Sequence, residues 1–160
     1  MDLLNHANKE TRLAELEKLM KTVNVASQPE NVNNHIHTTY SFSPYSPTKA
    51  IWMAYNSGLA TAGIMDHDSV SGCREFIEAG KIAGLPTTIG FETRVSFADT
   101  RLNGRRINNP DQDSVGYVTV HAIPHKNIEK ADAFLAPYRA KRNERNRKMT
   151  VKLSEITGIK

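Results

Sequence analysis

The sequence predicts an α/β fold in which helices pack outside a parallel sheet. Three observations predict it. Between residues 32 and 97, short apolar runs alternate with amphipathic stretches in the order β-α-β-α-β, the pattern of strands joined by crossover helices. The run at 59–65, LATAGIM, carries no charge, as suits a strand buried on both faces. His37 and His67 lie 30 residues apart, and His67 and Glu92 lie 25 apart, each about one β-α repeat.

Residues 9–23 read as a helix, because Leu13, Leu16, Leu19, Met20 and Val23 recur at helical spacing among charged positions. Ser27, Gln28 and Pro29 are expected to end it. A short strand follows at 32–37. Ser46-Pro47 supplies an N-cap and a first-turn proline for a second helix. Its apolar positions are Ala50, Ile51, Met53 and Ala54, and it stops at Ser57-Gly58. The strand at 59–65 leads through Asp66-His67-Asp68-Ser69 into a third helix. There Phe76, Ile77, Ala79, Ile82 and Ala83 are apolar and Gly84 lies just past the end. Pro86 precedes a strand expected over 87–97. Asn103-Gly104 marks a turn, and 115–123 alternates as a strand hairpinned with the preceding one. A long helix starts near Ile128, with a kink or restart expected at Pro137 and an end at Gly158. The expected organisation is a helical extension over 1–30 and an α/β domain over 31–160.

Composition excludes several classes. At 39% hydrophobic and 24% charged residues, the chain is globular rather than disordered. No apolar run approaches the roughly 20 residues that span a bilayer, so no membrane partner is expected. The N-terminus lacks the basic start and apolar centre of a secretory signal. Cys73 is the only cysteine, which allows no internal disulfide and makes the cytoplasm the expected compartment. Net charge is +4, and much of the excess lies in RAKRNERNRK at 139–148. Such a cluster either attracts an anionic substrate or nucleic acid, or is the solvated face of a helix.

The residues that carry chemistry sit at strand ends. His35 and His37, at i and i+2 on a strand, point to one face and together can grip a cation. His67 and Glu92 fall at or just after the ends of the next two strands. In a right-handed parallel arrangement those ends share one rim, where such folds build their sites. Imidazole with carboxylate suits zinc, manganese or iron, and Glu92 is placed to bridge two ions. Asp66 and His67 are the candidate catalytic residues. Asp66 would fix an imidazole tautomer or ligate directly. Asp68 is a further candidate ligand or a helix cap. His121 is a candidate ligand or an ordinary strand histidine. Cys73 reads as a small core residue, and His125 as a turn residue.

These motifs resemble a known family. His35-Ile36-His37-Thr38, the Ser46-Pro47-Thr48-Lys49-Ala50 helix start, Asp66-His67 and Gly90-Phe91-Glu92 are similar to the opening motifs of PHP (polymerase and histidinol phosphatase) domains. The resemblance is close over 32–97 and looser through the arginine-rich helix at 139–153. It implies a distorted seven-stranded β/α barrel, of which this chain would be the N-terminal part. It also implies a centre of two or three divalent metals that hydrolyses phosphoesters, with His35, His37, His67 and Glu92 as ligands. Expected substrates are phosphorylated small molecules or nucleotides. A nucleic acid bound through 139–148 is a further possible partner. Two features depart from the pattern. Phe42 stands in Ser41-Phe42-Ser43, where many members carry Ser-Asp-Gly, and the family's later histidines and Asp-x-His are absent. The chain is therefore expected to be part of a longer product, or to self-associate through an exposed strand edge.

Overall fold

A computed structural model describes residues 2–159. Helix α1 spans Lys9–Met20, and its N-cap Asn8 accepts a hydrogen bond from the Thr11 N–H. Strand β1 spans Gln28–Ile36, α2 Pro47–Asn56, β2 Leu59–Ile64, α3 Cys73–Ala83 and β3 Thr87–Ile89. Strands β4, Phe91–Ser96, and β5, Val115–Val120, precede the long helix α4, Ile128–Thr157. Short 3-10 turns occupy Leu3–Asn5 and His125–Asn127.

The parallel α/β expectation holds. The sheet runs β1-β2-β3 with both pairings parallel. Ser46 caps α2 by accepting the Lys49 N–H, with Pro47 in the first turn. Gly84 ends α3 in the left-handed region, at φ 64°, where a side chain would be strained. The core lies between the helices and the sheet, around Leu16, Ile51, Ile64, Phe76, Ile89 and Leu135. Leu4, Leu13 and Leu16 belong to the same cluster, so the N-terminal segment packs as part of that core. Among the described residues no helix is long and apolar enough to cross a membrane.

Three local expectations are corrected. Pro29 does not end a helix but lies inside β1. This strand is a sheet edge, where a missing N–H is tolerated. The strand expected over 87–97 is two strands. Thr87–Ile89 extends the parallel sheet, whereas Phe91–Ser96 pairs antiparallel with β5 in a separate two-stranded sheet. Gly90 divides them. A Cβ there would lie 2.1 Å from the Val120 carbonyl oxygen and 2.8 Å from Met65 Sδ, so only glycine allows the chain to change sheets at this point. The link between β4 and β5 is the long segment 97–114, with Asn103-Gly104 as one turn inside it. Finally, of the two outcomes expected at Pro137 the restart does not occur, because α4 continues through it as one 30-residue helix anchored by buried Ile128 and Leu135.

Candidate metal centre

Backbone pairing beyond the named strands builds the site. The Glu92 N–H donates to the Asp66 carbonyl at 3.1 Å, and the Asp68 N–H donates to the Glu92 carbonyl at 2.8 Å. His67 and Glu92 thereby form an isolated parallel bridge. Met65 N–H donates to the Ile36 carbonyl on the other side. The His35–His37 segment, His67 and Glu92 are thus neighbours at or just beyond the C-terminal ends of β1, β2 and β3, with Glu92 already at the start of β4.

Their side chains converge. His35 Nε2 lies 3.2 Å from His37 Nε2 and 3.2 Å from Glu92 Oε2. Glu92 Oε2 is also 3.5 Å from His37 Nε2 and 3.7 Å from His67 Nε2. Donors about 2.1 Å from a tetrahedral ion stand about 3.4 Å apart, so the spacing among His35, His37 and Glu92 fits a common cation. His67 stands outside this trio, whose donor atoms lie within 4.8 Å of one another, and meets it through Glu92. The donor set therefore fits one ion at the trio, with Glu92 able to bridge to a second at His67.

Two further observations agree. Nδ1 of His37 and of His67 is buried without a protein partner, so the faces these rings turn to Glu92 carry their polar contacts. Burial pushes both imidazoles below the usual value. For His37 the nearby His35 adds to this and Glu92 opposes it. For His67, Glu92 opposes burial, while His37 and Arg142 add to it. Both rings are then neutral at pH 7, the form that binds metal.

These shifts predict a pH dependence. Because the folded values lie below about 6.5, the unfolded chain binds more protons as the pH drops below that value. The stability present above it is lost as the pH falls. The metal-free chain should show a lower urea midpoint at pH 5.5 than at pH 7.5. Removing both imidazoles in a His37→Gln, His67→Gln variant should shrink that difference, and an unchanged difference would refute the assignment. Burial raises the Asp66 carboxyl against its hydrogen bonds to Thr38, a contribution of opposite sign that is lost as the pH rises from about 3.9.

The two aspartates do other work than expected. Asp66 is 1% exposed. Its carboxylate accepts the Thr38 N–H and the Thr38 hydroxyl, each at 2.6 Å, and among the described residues it makes no hydrogen bond to an imidazole. Both carboxylate oxygens are thus engaged by Thr38, and Asp66 fixes the turn after His37. Asp68, at φ 50°, does not cap α3, whose N-cap is Gly72. One Asp68 oxygen accepts the Thr93 hydroxyl at 2.6 Å, and the other pairs with Arg142 at 2.5 Å. His121 is exposed and lies apart, beside Phe91, Ile123 and Phe134. Burial pushes the Cys73 thiol up to about 12, which keeps it protonated and inert.

Helix α4 supplies residues whose role the sequence left open. Arg142 donates to the His67 carbonyl at 3.2 Å, and Arg139 donates to that of Asp68 at 3.3 Å. The basic helix thus leans over the His/Glu cluster. Between them lies a cleft of about 470 Å³ walled by Ser41, Phe42, His67, Arg94, Tyr117, Arg142 and Arg145. Arg94 donates to the Tyr117 hydroxyl at 3.1 Å. No local pattern singles out Arg94 or Tyr117. They are cross-strand partners in the β4–β5 register, visible only once that pairing is known.

No family model and no curated protein matches the chain. Solved structures do resemble it. One, from Chromobacterium violaceum, is described as an amidohydrolase with bound sulfate and no metal. It has a TM-score of 0.63 at 26% identity, over 79% of this chain and 39% of that one. Another, from Bifidobacterium adolescentis, is provisionally described as a metal-dependent phosphoesterase. It has a TM-score of 0.55 at 24% identity, over 79% of this chain and 40% of that one. The chain thus spans about two fifths of the length of each. Motifs and structural likeness together mark the chain as PHP-like over its matched part.

Proposed function

We propose that the chain carries the first half of a divalent-metal centre that hydrolyses phosphoesters. The observation that carries this reading is the convergence of three imidazole nitrogens on one Glu92 oxygen, with His35, His37 and Glu92 at spacings that suit a shared ion and His67 reaching them through Glu92. A divalent cation supplies Lewis acidity toward water and toward phosphoryl oxygen. His35, His37 and Glu92 would hold one ion, zinc, manganese or iron by donor type, and His67 with Glu92 would contribute to a second.

The cleft favours an anionic substrate. Arg142 and Arg145 line it next to His67, and guanidinium matches the geometry of phosphate oxygens. The sulfate in the Chromobacterium structure is an oxyanion of the same shape. Arg139 and Arg142 are paired with Asp132 and Asp68, so their charge is partly neutralised, and among the described residues of α4 Arg145 is the cleft-lining guanidinium with no carboxylate partner. This supports a small phosphorylated molecule over a long polyanion along the helix.

The test is hydrolysis of 4-nitrophenyl phosphate by chelator-stripped chain, with and without added manganese or zinc. Metal-dependent turnover that disappears in Arg142→Ala or His37→Ala is expected. Absence of metal uptake by elemental analysis would sink the reading.

A further inference from the structure

Phe42 is the one large apolar side chain at the mouth of the cleft that is mostly open, at 72% exposure. It is not a loose surface residue. Its ring centroid lies 4.7 Å from that of His37 and 5.3 Å from that of His67, tilted by 34° and 29°. The two imidazoles hold it in place while most of its surface stays free. Across the cleft, Tyr117 is already covered by Arg94, whose guanidinium sits 5.3 Å from its ring centroid. Beyond its contacts with the two imidazoles, Phe42 therefore offers an open aromatic surface beside Arg142 and Arg145.

We infer that Phe42 is a specificity-determining residue that selects anionic esters whose leaving group carries a flat, unsaturated ring. The guanidinium groups would take the anion and the phenyl ring would stack on the leaving group. A held aromatic needs little further ordering, so stacking on it is productive. The mention of esters rests on the phosphoester reading, whereas the binding preference rests on the cleft alone.

Phosphonates separate the two, because they bind without being hydrolysed. Calorimetry on the full chain, with and without manganese, would compare phenylphosphonate with methylphosphonate. Phenylphosphonate should bind about tenfold more tightly, the upper end of what an aromatic pair contributes. In Phe42→Ala the preference should fall to about twofold or less. Phe42→Tyr should restore it, and Phe42→Leu, apolar but without a π face, should restore only part. Equal binding of the two phosphonates, a preference that survives Phe42→Ala, or no binding of either would overturn the inference. A chain that hydrolyses nothing yet shows the preference would refute the hydrolase reading alone, and a hydrolase without the preference would refute the role of Phe42 alone.

Discussion

Glu92→Gln should weaken manganese or zinc binding by at least about 100-fold, since even changes one shell removed from a metal cost about 10- to 100-fold. Glu92 is the common partner of all three imidazoles, at 3.2, 3.5 and 3.7 Å. Glutamine keeps the shape, but it loses the charge and replaces one oxygen by an NH2 group with no lone pair to offer. Isothermal titration with the metal alone reads this directly. His35→Ala should behave like Glu92→Gln, because His35 belongs to the tight trio. His67→Ala should lose only a second equivalent of metal. His121→Ala, outside the candidate ligand group, should bind as the parent chain does. Parent-like affinity in Glu92→Gln would remove the metal centre from consideration.

Arg12→Ala should be the most destabilising single substitution outside the apolar core, by about 3–5 kcal/mol, because it leaves an unpaired charge buried. Arg12 meets Glu75 through two bonds, at 2.8 and 2.5 Å, with both side chains under a tenth exposed. The same guanidinium donates to the His6 and Ala7 carbonyls. Glu75 also accepts the Thr48 N–H and hydroxyl. One ion pair thus ties α1, α2 and α3 together. Urea unfolding should show the loss in Arg12→Ala and in Glu75→Ala. Replacing both partners, as Arg12→Met with Glu75→Leu, should recover much of it. Single variants within about 0.5 kcal/mol of the parent would contradict the assignment.

Much of the fold was legible because its signals are local. An uncharged run at 59–65, a Ser-Pro helix start and a glycine past the end of α3 each act within a few residues of themselves. Right-handed crossovers of about 30 residues then carry His37, His67 and Glu92 to one rim. The break at Gly90 was less legible. GFE reads as continuous strand, and only the closeness of the Val120 carbonyl shows why the chain turns there.

The sequence by itself determined the β-α-β order and the rim that His35, His37, His67 and Glu92 share, because period and handedness depend on neighbours along the chain. Only the tertiary structure decided which atoms meet. Asp66 turned to Thr38, 28 residues away, and Asp68 turned to Arg142 on α4. The basic helix folded back over the cluster to form a cleft with Phe42 and Tyr117. A carboxylate binds whichever donor packing brings within about 3 Å, and that distance is set by how distant elements dock rather than by residue spacing.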